Sequence, residues 1–135
     1  MTGLVVLDAS ALVAMLLDAG EVGDWVAERR RDTAMAAPEL ALFETANVLR
    51  RQAAAGRISS LVATLAHSDL LALELDLWPY APLAERVWEL RGSLTVFDAS
   101  YVALAELLDG DLLTLDLRLS RAPGPRCRVR TPPVT

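Results

Sequence analysis

The sequence predicts an α/β fold built on a central parallel sheet of about five short strands, and three observations carry that prediction. Short apolar runs alternate with longer stretches of helical periodicity along the chain, the pattern of strand–helix–strand units. The first run, Leu4-Val5-Val6-Leu7, is four consecutive large apolar residues, two of them β-branched. Such a run suits a strand buried on both faces, as in the middle of a parallel sheet. Finally, two of these runs, Leu4–Leu7 and Leu112–Leu115, each stop abruptly at an aspartate, Asp8 and Asp116. A carboxylate at the carboxyl end of a buried strand sits where open α/β sheets place their ligands.

Each element follows from its own signals. Helical character begins at Ala9 and runs through Ser10–Leu17. Asp8 and Ser10 are both favoured N-caps, so Asp8 has two readings, cap or ligand. Asp18-Ala19-Gly20 makes a break, and Glu21–Arg31 predicts a short amphipathic helix with Val22, Trp25 and Val26 on one face. Thr33–Ala37 is a candidate second strand. Pro38 suits the first turn of a helix. That helix spans Glu39 to about Ala55, with Gly56 as its C-cap.

A further helix covers Ser59–Leu71, where His67, without a second His nearby, reads as a surface residue. Leu73–Trp78 alternates apolar residues with Glu74 and Asp76 and predicts a third, edge-like strand. Pro79 and Pro82 bracket the entry to a helix ending near Arg91-Gly92, with Trp88 and Leu90 assigned to the core. Ser93–Phe97 leads into Asp98, and the helix from Ala99 runs to Leu108. Asp109-Gly110-Asp111 is a turn signal before the strand Leu112–Leu115. Beyond Pro123 the chain is Pro-rich except for Cys127–Arg130, a candidate fifth strand. No internal repeat or second domain is evident, so residues 1–135 are expected to form a single domain.

Composition excludes several classes of function. A hydrophobic fraction of 53% is high, yet charges interrupt every apolar stretch. None approaches the roughly 18–20 residues of a membrane span. The N-terminus has no basic stretch ahead of its apolar run, which argues against a secretory signal. A single cysteine, Cys127, excludes an internal disulfide and fits a reducing, cytoplasmic setting. The net charge of −5 argues against a general nucleic-acid coat. All 13 basic residues are nevertheless Arg, clustered at Arg29–Arg31, at Arg50, Arg51 and Arg57, and from Arg118 to Arg130. Arginine makes bidentate phosphate contacts, and GC-rich codon usage accounts for the same bias.

The chemistry points to the acids. Asp8 and Asp116 end strands, Asp98 opens a helix, and Glu44 lies inside a helix beside Phe43. If the two strands are neighbours, Asp8 and Asp116 leave the same sheet edge with backbones about 5 Å apart. Gathered carboxylates raise one another's pKa unless a cation intervenes, and an all-oxygen acidic cluster suits Mg²⁺ or Mn²⁺. Singly, Asp98 and Asp116 also read as caps and Glu44 as a solvated edge residue. A cap does not explain an acid in mid-helix within an apolar setting.

The segments LVVLDASALVAMLL, PELALFETANVLRR, WELRGSLTVFDASYVALAELL and LLTLDLRLSRAPG resemble the PIN-domain family, and within it the VapC toxins of bacterial toxin–antitoxin systems. The resemblance runs from Leu4 to Gly124 and implies a three-layer α/β/α fold with acids gathered at the carboxyl edge of the sheet. It also implies a Mg²⁺-dependent ribonuclease. By position, Asp8 and Asp98 match the family's principal metal-binding aspartates, Glu44 its helix-borne glutamate, and Asp116 its more variable fourth acid. Ser10 matches a small hydroxyl that supports the site. Phe97 stands where relatives often carry Tyr, a difference assigned to packing. The family further implies a homodimer and a cognate VapB-type antitoxin whose C-terminal segment occupies the acidic groove.

The expected reaction is hydrolysis of RNA phosphodiester bonds. One or two Mg²⁺ ions held by Asp8, Asp98, Glu44 and Asp116 would activate water and stabilise charge on the leaving oxygen. Arg51, seven residues past Glu44 on the same helix face, is the expected phosphate or partner contact, with a surface salt bridge as its other reading. The rival is a PIN scaffold that sequesters antitoxin or RNA with weak or no cleavage, and the presence of all four acids argues against it. A phospho-acceptor receiver domain would need a lysine, which the chain lacks. A dinucleotide-binding domain would need a Gly-rich loop after the first strand, and none is present.

Overall fold

A computed structural model describes residues 3–18 and 20–133. Its elements run in the order β1 (Leu4–Leu7), α1 (Ala9–Leu17), α2 (Glu21–Arg30), β2 (Ala34–Pro38), α3 (Leu40–Ala54), α4 (Ser60–Ala72) and β3 (Leu75–Trp78). A 3₁₀ turn at Ala81–Leu83 then leads to α5 (Ala84–Glu89), α6 (Val96–Leu108), β4 (Asp111–Leu113), α7 (Leu117–Arg121) and β5 (Val129–Arg130). All strand pairs are parallel, in the order β3-β2-β1-β4-β5. The expected α/β class, the parallel sheet and the central place of Leu4–Leu7 are therefore as the sequence predicts.

Chain direction explains the layers. From β1 the chain steps outward to β2 and β3, then returns past β1 to β4. Right-handed crossovers put helices on one face during the outward steps and on the opposite face during the return. Accordingly α1 to α4 pack among themselves, while α5 and α6 pack together and α6 covers β1, β2 and β4. The reversal at β1/β4 is a switch point, where an open sheet leaves a crevice beyond its strand ends.

Close packing of α6 has a visible sequence cause. Ala36 and Ala37 of β2 are buried, as are Ala99, Ala103 and Ala105 of α6. Small side chains on both surfaces let helix and sheet approach closely, with Tyr101, Val102 and Leu104 filling the remaining space. At the end of α6, Asp109 adopts a left-handed conformation (φ 54°) and Gly110 N–H donates to Ala105 carbonyl at 2.9 Å. A Cβ on Gly110 would stand 2.7 Å from the Leu4 carbonyl oxygen, so this junction with β1 requires glycine. Gly56, at φ 74°, ends α3 as predicted.

Several expectations need correction. Pro38 ends β2, pairing with Trp78, instead of opening the next helix. The third strand starts at Leu75, because α4 extends to Ala72. It does lie at the sheet edge. Trp88 is not core but 60% exposed, with the Arg91 guanidinium stacked 4.7 Å from its ring centre, whereas Leu90 is buried. Helix α6 begins at Val96, three residues early, because Thr95 caps it. Asp111 belongs to β4, and Thr114 and Leu115 lie beyond its end. The fifth strand is confined to Val129–Arg130. His67 is at the surface, as expected, while Ala19 of the predicted break lies outside the described residues.

Candidate metal centre

The acids lie around the switch point: Asp8 follows β1, Asp116 follows β4, and the Asp98 charge reaches both Asp8 and Glu44. Asp8 follows β1 directly and caps α1, so the cap and ligand readings apply to one side chain. It is 8% exposed. Oδ1 accepts from Ser10 Oγ at 2.6 Å and from the Ala11 N–H at 3.0 Å, and Oδ2 accepts from Thr114 Oγ1. Burial pushes its carboxyl above the ordinary value and the Asp98 charge adds to this, while those three hydrogen bonds pull it back.

The same hydroxyls organise the neighbouring loop. Ser10 Oγ accepts the Leu115 N–H at 3.0 Å, and Thr114 Oγ1 accepts the Asp116 N–H at 3.0 Å. Two amides that have left the ladder are thereby satisfied, and the ends of β1 and β4 are tied together. The pairing expected between Asp8 and Asp116 is wrong by two positions. Leu7 pairs with Leu113, so the residue beside Asp8 is Thr114. Strand β4 stops at Leu113 because the chain turns there into the Asp116-capped helix α7.

Glu44 and Asp98 come from the helices. Glu44 lies in the second turn of α3, and its Oε1 accepts from Tyr101 Oη at 2.5 Å. Burial raises its pKa, the Asp98 and Asp8 charges raise it further, and the Tyr101 bond opposes both. Asp98 is in the first turn of α6 but does not cap it. The cap is Thr95, whose hydroxyl accepts the Asp98 N–H at 3.1 Å. Burial and the Asp116 charge lift the Asp98 carboxyl, against Arg118 and Thr95. Thus the Asp98 charge reaches Asp8 and Glu44, the Asp8 charge reaches Glu44, and the Asp116 charge reaches Asp98.

Asp116 differs. It caps α7 and is clasped by Arg118, whose Nε and Nη2 reach Oδ1 and Oδ2 at 3.2 and 2.6 Å. The guanidinium holds this carboxyl below its usual range. Arg51 is exposed in the last turn of α3 and pairs with no acid among the described residues. The arginine brought to the acids is Arg118.

Three contributors were missed by sequence reasoning. Thr114 was legible as a lone hydroxyl in the apolar run Leu-Leu-Thr-Leu. Tyr101 was legible as a phenol in the apolar middle of a helix, which must find a partner when buried. Arg118 carried no signal beyond its place in an Arg cluster.

The donor set fits a hard divalent cation, since every group is a carboxylate oxygen. Asp8 Oδ2 accepts one hydrogen bond and Glu44 Oε2 accepts none from the described residues, so both keep lone pairs for an ion. Among the described residues, no three His, Cys, Asp or Glu side chains stand together closely enough to hold one as they are.

Comparison with known proteins identifies the family. The family model described as PIN domain matches residues 5–125. The chain is 38% identical over 130 residues to the VapC ribonuclease Mb0985 of Mycobacterium bovis, covering 96% of this chain and 99% of that one. Among solved structures, PAE2754 from Pyrobaculum aerophilum superposes with a TM-score of 0.69 at 29% identity, over 94% of this chain and 83% of the other. VapBC2 from Rickettsia felis, bound to a promoter DNA fragment, shares the fold at a TM-score of 0.68 and 12% identity, over 95% and 98%.

Proposed function

The chain belongs to the PIN-domain family and is similar to VapC ribonucleases, and on that premise we propose that it is the toxin of a toxin–antitoxin pair, a Mg²⁺-dependent endoribonuclease. The observation that supports this reading is electrostatic: Asp8 after β1, Glu44 of α3 and Asp98 of α6 are each raised by burial and by a neighbouring acid's charge. Asp116 completes the set once Arg118 releases it. Residues 1–135 constitute one PIN domain in this reading.

Mg²⁺ (or Mn²⁺ in its place), when bound, lowers the pKa of water and offsets charge on phosphate oxygens. The chain's own residues prepare the rest. Ser10, Thr114 and the α1 N-terminus hold Asp8 in one rotamer, and Tyr101 fixes Glu44. Tyr101 is buried and its phenol is pushed far above its ordinary value, so it remains a donor at any working pH. Arg118, 82% exposed, is free to turn from Asp116 to a substrate phosphate. Arg51 contacts the RNA backbone further along α3. No histidine is required, consistent with His67 lying at the surface.

The proposed partners are RNA as substrate, a cognate VapB-type antitoxin and a second copy of the chain. Support for the antitoxin comes from similarity to VapC proteins and from fold neighbours solved as VapBC complexes. Among the described residues no helix is long and apolar enough to cross a membrane, in keeping with the proposed cytoplasmic location. The test is cleavage of total cellular RNA by purified protein with Mg²⁺ and with EDTA, alongside Asp98→Asn. Cleavage should require the ion and disappear in the variant. Full activity in EDTA would refute the mechanism.

A further inference from the structure

The strap that follows α7 is held by side chains alone. Among the described residues, the backbone of residues 123–126 makes no hydrogen bond to other backbone groups, and pairing resumes only at Arg128, whose carbonyl accepts from Leu112. Three side chains from α5, α6 and the turn between them take over. Ser93 Oγ donates to the Pro123 carbonyl at 2.8 Å, and Arg86 Nη2 donates to the Gly124 carbonyl at 2.8 Å. The Arg126 N–H donates to Glu106 Oε2 at 2.7 Å. Arg86 and Glu106 are themselves joined, Nε to Oε1 at 2.7 Å and Nη2 to Oε2 at 3.2 Å. Their side chains are only 20% and 14% exposed, so the pair is shielded from most water. An ion pair alone would fix α5 to α6, but here each partner turns a further contact onto the strap.

The strap carries α7. That helix has five residues and one buried side chain, Leu119, too little to hold its place unaided. Its N-terminal end is fastened through Thr114 to Asp8, and its C-terminal end through the strap. Between α7 and the start of α6 lies a cleft of about 130 Å³ lined by Ser93, Thr95, Asp98, Arg118 and Ala122. Asp98 is on one wall, and the helix capped by Asp116 forms the other. The Asp116 charge already reaches Asp98 across it. Whatever holds the strap therefore sets the gap between the two acids. We propose that Ser93, Arg86 and Glu106 are positioning residues for the cation site: by clipping the strap to α5 and α6, they hold Asp116 where it can share an ion with Asp98. This role rests on the ribonuclease reading and names residues outside the acidic site on which that site depends.

The test uses the full chain and Mn²⁺ alone, with the free ion counted by electron paramagnetic resonance well below the melting temperature, where circular dichroism confirms the fold. Arg86→Lys keeps the charge but cannot span Glu106 and Gly124 as the guanidinium fork does. Ser93→Ala removes one bond at an exposed position, so folding is not at risk. Each should weaken Mn²⁺ binding, and the two together by about 10-fold, the low end for partners that orient a metal site from outside it. A melting temperature would fall for a merely structural strap as well, so the deciding readout is coupling to Asp116. Asp116→Asn should itself weaken Mn²⁺ binding, and adding the strap substitutions to it should weaken binding no further.

Unchanged Mn²⁺ affinity in the folded strap variants would overturn the positioning role, and with RNA cleavage by the wild type it would leave the ribonuclease reading standing. Equal losses with and without Asp116→Asn would overturn it as well, since the strap would then act elsewhere than on Asp116. The expected losses and coupling in a protein that binds Mn²⁺ but cleaves no RNA would keep the positioning role and reject the nuclease. A wild type that binds no Mn²⁺ would overturn both.

Discussion

Tyr101→Phe isolates the role of one hydrogen bond in holding the acidic site. The phenol is buried, and it donates to Glu44 Oε1 at 2.5 Å, within the range of a charge-assisted O–H···O⁻ bond. Such bonds contribute about 1.5–3 kcal/mol. Glu44 is only partly buried, so water replaces some of what is lost, and the lower figure of about 1.5 kcal/mol applies. For a domain of this size that lowers the melting temperature by roughly 5–7 °C. The Tyr101 bond also holds the Glu44 pKa down, and without it Glu44 keeps its proton to higher pH. The midpoint pH for Mg²⁺-induced stabilisation should therefore move upward. Loss of a residue that orients a metal ligand typically costs about 10- to 100-fold in affinity. The assay is a set of melting curves against Mg²⁺ at several pH values, with circular dichroism at low metal to confirm folding. If Tyr101→Phe melts like the wild type in EDTA and keeps the same Mg²⁺ titration and pH midpoint, then Tyr101 does not position Glu44.

Three further outcomes follow from the same geometry. Asp98→Asn should melt higher than the wild type in EDTA at neutral pH, by roughly 2–4 °C after allowing for solvent screening at this half-buried position. Folding raises the Asp98 pKa, so the folded chain binds more protons between the ordinary value of 3.8 and its raised one. Wild-type stability falls as pH climbs through that window, and the advantage of the variant should grow there and vanish in acid; thermal melts against pH would show otherwise by finding it constant. Thr114→Val keeps the shape but removes the donor to Asp8 and the acceptor of the Asp116 N–H, at a cost of about 2 kcal/mol; a melting midpoint within a degree of wild type would contradict that network. Arg118→Gln should leave the EDTA melting temperature within about 2 °C, because the pair is at the surface, yet tighten Mg²⁺ binding by freeing Asp116; weaker or unchanged binding in a Mg²⁺ melting titration would contradict the competition.

What the sequence determined by itself was local. The run Leu4–Leu7 required a strand buried on both faces, Gly56 supplied the left-handed residue that ends α3, and alternating periodicities required an α/β sheet. The four acids were also legible, because a carboxylate at the end of an apolar run or inside an apolar helix stands out against its neighbours. Where local signals competed, the reading slipped: Asp98 was taken as the helix opener, but Thr95 caps the turn and moves the start to Val96. Trp88 was assigned inward by hydrophobicity, yet α5 turns it outward beneath Arg91.

Only the tertiary structure decided the partners. Register across β1 and β4 set Thr114 beside Asp8, 106 positions apart, and placed Asp116 where Arg118 clasps it. Packing of α6 on the sheet delivered Tyr101 to Glu44 across 57 positions. It also left Phe97 exposed, not packed as expected. Periodicity reports which face of an element is buried, since that depends on neighbours a few residues away. Which atom meets a buried carboxylate depends on strand register and helix rotation, set by the summed packing of the whole core and written in no single segment.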